Sequence, residues 1–144
     1  RQARTFWRFV IQETRSIRCM YTQESLSSDD FSLDHFIPWS FVAHDLLWNI
    51  VPTTKSVNSR KGDRLPNIDL YFEPFARLQY EAVQAVTVLK HAKILEDYVI
   101  LAKADSVTSL RQMSFEGFRQ LLFDNVAPQI QIARNMGFPD RWSY

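Results

Sequence analysis

The sequence predicts an α+β fold in which a compact strand–strand–helix unit is embedded in a mostly helical domain. Three observations carry this. Apolar residues recur at three- and four-residue steps over 73–104 and again over 114–138, the period of an amphipathic helix. A short segment, FSLDHFIP (31–38), alternates apolar and polar residues until a proline ends it, the period of a strand. Between Pro38 and Pro52 lies a stretch rich in aromatics, His and Asn that follows neither period.

Taken in order, residues 2–15 place Phe6, Phe9 and Val10 at helical spacing, with Ile17 just beyond. SIRCMY (16–21) is short and mixed and is read as a first strand. TQESLSSDD (22–30) is polar and reads as a loop. FSLDHFIP is then the second strand, and 39–53 is a structured loop bracketed by prolines, in which neither helix nor strand persists. TKSVNSRKGD (54–63) resembles a short helix, capped by Thr53 or Thr54 and stopped at Gly62.

The remainder reads as helical. In 73–104, Phe75, Leu78, Ala82, Val86, Leu89, Leu95 and Val99 fall at largely three- and four-residue steps, and Pro74 suits a first turn. Residues 114–138 predict one or two helices, with Ser114 as cap, Pro128 as a candidate interruption and Gly137 as terminator.

Composition narrows the classes. The chain has 144 residues, 46% hydrophobic and 23% charged, ordinary for one globular domain. No apolar run approaches the roughly 18 residues of a membrane span, and the first ten residues carry no apolar signal-peptide core. The chain is therefore expected to work without a membrane, in the cytoplasm. A single cysteine, Cys19, excludes an internal disulfide framework and a multi-cysteine zinc site. Net charge is +1, but basic residues cluster at 1–18 and at 54–64, where local patches suit phosphate. The absence of an initiator Met suggests the C-terminal fragment of a longer chain, with a further domain upstream.

The middle unit carries the chemistry. Asp34 and His35 sit at the end of the second strand, Asn49 in the loop, and Asn58 and Lys61 on the short helix. If that helix folds back on the hairpin, a carboxylate, an imidazole and an amide meet. Carboxylate and amide oxygens are hard ligands suited to Mg²⁺ or Mn²⁺. An imidazole takes a proton from water near neutral pH. Together they make a kit for phosphodiester hydrolysis.

The stretch LDHFIPWSF…LWNIVPTTKSVNSRKGDRLP resembles the core of the HNH endonucleases, the ββα-metal nucleases, in the variant whose final residue is Asn. The resemblance covers 17–66, which divides a single domain (1–144) into an N-terminal helix (1–16), the ββα-metal core, and a helical part (67–144). It implies His35 as the general base and Asp34 and Asn58 as ligands of one divalent cation. It implies Asn49 as a loop brace that helps orient His35. It implies Lys61, with Lys55, Arg60 and Arg64, as contacts to backbone phosphates. The implied substrate is DNA, double-stranded by family resemblance, and a role in restriction or defence is an analogy. A catalytically inactive nucleic-acid-binding or partner-docking module is the alternative.

Many relatives brace this core with zinc on two Cys-x-x-Cys pairs. Here those positions fall at Cys19 and Thr22 and near Thr54 and Val57, so no structural zinc is expected and Cys19 is a buried remnant. Phe31, Phe36, Trp39, Phe41, Leu47, Trp48, Ile50 and Val57 are expected to pack in place of the clamp. His44 is a candidate substrate contact, and His91 is expected to be structural within the long helix.

Overall fold

A computed structural model of the chain describes residues 2–86 and 92–144. Helix α1 (Gln2–Thr14) buries Ala3, Phe6, Trp7, Val10 and Ile11, one stripe at the expected spacing. It stops at Arg15, which takes a left-handed φ of 57°.

Residues 16–21, expected as a strand, form no ladder. They make an irregular turn held by Leu26 N–H to the Ile17 carbonyl and Cys19 N–H to the Glu24 carbonyl, with one isolated bridge between Arg18 and Ser25. The reason is in the burial. Cys19, Met20 and Tyr21 are all buried, and three consecutive inward side chains are incompatible with the two-residue alternation of a strand.

The hairpin is instead β1 (Ser32–His35) paired antiparallel with β2 (Ile50–Thr53), in the register 32/53, 33/52, 34/51 and 35/50. The segment 39–53 is thus more than a loop. It contains α2 (Trp39–Val42), a 3₁₀ turn (Leu47–Asn49) and β2. Pro52 fits within β2 because Phe36 N–H donates to the Asn49 carbonyl. Counting back in steps of two makes 34/51 and 32/53 the hydrogen-bonded pairs, so the nitrogen of Pro52 faces away from β1.

Helix α3 (Lys55–Lys61) follows, with Thr54 Oγ1 accepting from Val57 N–H and Gly62 closing it at φ 51°. β1, β2 and α3 form the ββα unit within a mostly helical α+β domain. Helix α4 (Ile68–Ala85) starts five residues earlier than the sequence suggests, because Asn67 rather than Pro74 marks its start; the Asn67 side chain accepts from Asp69 N–H. Pro74 lies inside it. The carbonyl that Pro74 leaves free belongs to Leu70, on the exposed side.

The long helix expected to run to 104 ends at Ala85, and Leu89 and His91 lie outside the described residues. Beyond them come a 3₁₀ turn (Ala92–Leu95), α5 (Glu96–Ala102) and α6 (Val107–Gln112). Helix α7 (Phe115–Asn135) is capped by Ser114, passes through Pro128 unbroken, and ends before Gly137 at φ 95°.

One hydrophobic cluster runs through these elements. Phe36 stacks on Phe75 at 3.9 Å between centroids, joining the hairpin to α4. A buried polar chain crosses the same region: Trp7 Nε1–H and Gln79 Nε2–H both donate to the Ile50 carbonyl at 3.0 Å, and Tyr98 O–H donates to Gln79 Oε1 at 2.6 Å. The chain end returns as a strap. Leu65 N–H bonds the Pro139 carbonyl, and Asn67 N–H and Trp142 N–H complete a short pairing across Pro66. Trp142 then packs on Tyr21 and Tyr71. Of the residues expected to replace a zinc clamp, Phe31, Phe36, Leu47, Trp48, Ile50 and Val57 are buried. Phe41 is half-buried, and Trp39, expected in the core, is 54% exposed.

Two substitutions of opposite sign test this account. Gln79→Leu strands the buried Tyr98 hydroxyl, and urea unfolding should show a loss of roughly 1–3 kcal/mol. Thr53 Oγ1 is, among the described residues, the one buried side-chain polar atom with no hydrogen-bond partner. Thr53→Val should therefore leave stability unchanged or raise it.

Candidate active site

The site is built on the end of β1 and the outer side of α3. Strand alternation turns Asp34 inward and leaves His35 half-exposed. On α3 the inward positions are Val57 and Lys61, one turn apart, which leaves Asn58 exposed beside them. Asp34, His35 and Asn58 consequently line one cleft of about 220 Å³, together with Pro38, Trp39, Gly62 and Asp63.

Asp34 is 4% exposed, and each of its oxygens accepts one hydrogen bond. Tyr21 O–H donates to its Oδ2 at 2.9 Å, and Lys61 Nζ donates to its Oδ1 at 3.1 Å. Lys61 is itself buried, and its ammonium also donates to the carbonyls of His35 at 2.7 Å and Phe36 at 3.2 Å. Those three acceptors match the three N–H bonds of an ammonium. Burial raises the Asp34 carboxyl above the usual carboxylate range, against the pull of the Lys61 charge. Burial likewise lowers the Lys61 ammonium, against the pull of Asp34. Tyr21 is pushed well up, first by burial and then by the Asp34 charge, so it stays a donor.

His35 Nε2 lies 2.9 Å from Asp45 Oδ1. A carboxylate only accepts, so the proton of this contact sits on Nε2, and in the neutral ring Nδ1 keeps its lone pair. Asp45 reaches His35 across the loop between α2 and the 3₁₀ turn. Asn49 is buried at the end of that 3₁₀ turn. Its Oδ1 accepts from Ile37 N–H at 2.8 Å and its Nδ2–H donates to the Ile37 carbonyl at 2.9 Å. It thus ties down the segment just after His35 through backbone contacts and does not line the cleft.

The expected phosphate contacts separate. Lys55, Arg60 and Arg64 are exposed on or just after α3, with the Arg60 guanidinium 5.0 Å from the Tyr144 ring centroid. Lys61 is enclosed and holds Asp34 instead of facing outward. His44 is exposed in the loop.

Sequence reasoning overlooked Tyr21, Asp45 and Asp63. Asp45 left a trace, a second His–Asp adjacency at 44–45 in reversed order. Tyr21 was hidden in a segment read as a strand.

The donor set suits a hard cation. Asp34, Asn58 and Asp63 bring carboxylate and amide oxygens to one cleft. Tyr21 and Lys61 each take one lone-pair position on an Asp34 oxygen, and each oxygen keeps another. Among the described residues no three His, Cys, Asp or Glu side chains converge as a metal cluster, so solvent and phosphate oxygens would complete the coordination.

The contact between Lys61 and Asp34 makes a direct prediction. Lys61→Ala and Asp34→Ala each leave an uncompensated buried group and should cost about 3–5 kcal/mol in urea unfolding. The double variant should cost clearly less than the two together; additive losses would show that the pair is not a unit.

Residues 19–67 match the family model described as HNH endonuclease. No curated protein and no solved structure matches the chain. The matched span is about a third of the sequence and contains β1, β2, α3 and all four catalytic and ligand positions named from the sequence. The stretch from Cys19 to Asn67 is thus similar to the HNH endonuclease family.

Proposed function

We propose that the chain is a metal-dependent endonuclease that hydrolyses DNA phosphodiester bonds. The observation that carries this is the convergence of Asp34, His35 and Asn58 on one cleft. Asp34 and Asn58 would hold a divalent cation, Mg²⁺ or Mn²⁺. When bound, the cation offsets charge building on the scissile phosphate and its leaving oxygen. His35 takes the proton of the attacking water at Nδ1, while Asp45 holds Nε2–H and with it the tautomer. Asn49 fixes the loop that follows His35. Lys61 keeps the Asp34 carboxylate in place from beneath, and Lys55, Arg60 and Arg64 contact backbone phosphates with little sequence choice.

A second reading has its own support. Both Asp34 oxygens are already held by Tyr21 and Lys61, as they would be in a core that binds nucleic acid or a partner without cutting.

Supercoiled plasmid with Mg²⁺ or Mn²⁺ separates the two. The parent should nick the plasmid, and His35→Ala should lower the rate by about 10²–10⁴-fold, the range for loss of a general base. Asn58→Ala should raise the Mg²⁺ concentration needed. Equal nicking by parent and His35→Ala, or plasmid retention with no nicking by either, rules out the catalytic reading.

A further inference from the structure

Trp39 is the one large side chain of the cleft that the proposed chemistry does not use. Its indole is 54% exposed, whereas Trp7 and Trp48 are buried and Trp142 packs on Tyr21 and Tyr71. Its position is built. Pro38 opens α2, Ala43 closes it with a left-handed φ of 56° and a 2.7 Å bond to the Trp39 carbonyl, and Phe41 anchors it edge-on against Phe138. The short helix thus spends its apolar contact through Phe41 and leaves the larger ring in solvent, lining the cleft with Asp34, His35 and Asn58. Leaving an aromatic of this size exposed forgoes the burial that would stabilise the free protein.

The cleft also limits what enters. At about 220 Å³ it is smaller than the roughly 300–1,000 Å³ of ordinary ligand pockets. A phosphate beside Asp34, His35 and Asn58 has Trp39 as a neighbour on the same cleft, so the base attached to it comes within reach of an exposed aromatic ring. Within an intact duplex both faces of a base are covered by its neighbours, so only an unpaired base can meet that ring face to face.

We propose that Trp39 stacks on an unpaired nucleobase next to the phosphate held at Asp34, His35 and Asn58, and that the chain prefers single-stranded or frayed DNA over closed duplex. This rests on the nucleic-acid reading of the same cleft.

The test is binding with Mg²⁺ present in the His35→Ala background, where loss of the proposed base slows cleavage, read by the anisotropy of a fluorescein-labelled oligonucleotide offered as a single strand and as a blunt duplex of the same sequence. Trp39→Ala should weaken single-strand binding about tenfold or more, the scale of one lost base–aromatic stack. Trp39→Phe should keep most of it, and neither change should shift duplex binding appreciably. The single strand should also quench intrinsic fluorescence in the parent and not in Trp39→Phe. Because the ring is exposed, both variants should unfold at the parent's temperature. Unchanged single-strand affinity in Trp39→Ala overturns the proposal, and so does an equal loss on duplex, which would mean groove packing. If nicking fails while Trp39-dependent binding persists, catalysis falls and stacking stands. If nicking succeeds while Trp39→Ala binds normally, stacking alone falls.

Discussion

An ammonium group removed from water needs three acceptors, and Lys61 finds them in the Asp34 carboxylate and two successive carbonyls at the end of β1. The geometry of the cleft follows from that contact. It fixes the distance between α3 and the hairpin, it aims Asp34, and it consumes the carbonyls of His35 and Phe36 just where β1 gives way to irregular chain. Tyr21 closes the arrangement from the other side, and the chain-end strap holds Tyr21 through Trp142. A buried pair of this kind adds little net stability. Its value is in register, since an α3 turned or shifted by one residue would bury Asn58 and expose the charge.

A single carbonyl plays the matching part on the helical side. Ile50 O receives Trp7 from α1 and Gln79 from α4, and Gln79 in turn holds Tyr98 of α5. The Ile50 carbonyl on the outer edge of β2 is thereby satisfied by side chains instead of a third strand, which helps a two-stranded ribbon persist inside a helical shell. Phe36 on Phe75 supplies the apolar part of the same junction. In place of a metal clamp, the described residues show aromatic stacking and a few fully paired polar groups.

The candidate site was legible where chemistry and order coincide. Asp34–His35 and Asn58 could be named because a carboxylate, an imidazole and an amide recur in a fixed sequence, and the cleft does bring those three together. The hairpin was harder. Pro52 looked like a boundary because it cannot donate, yet it sits where no donation is required, and the strand assigned to 16–21 failed because its buried residues run consecutively. The N-terminus of α4 was displaced by giving weight to Pro74 over Asn67, although an Asn before Ile-Asp is the stronger start signal. Lys61 followed a helix whose polar residues all look alike in one dimension. Its burial depends on Val57 four positions before it, and on carbonyls no pattern reveals. Asp45 meets His35 from ten positions on, beyond α2, and Trp39 was counted with the core because a tryptophan usually belongs there.

The enclosure of Lys61 has a practical corollary. A primary amine with all three hydrogens bonded and no surface is closed to acylating reagents, while Lys55, six residues earlier on the same helix, is open to them. The two lysines therefore form an internal pair of dark and bright positions for covalent footprinting. Appearance of label at the second would report the hairpin parting from its helix, whatever ligand or condition brought that about.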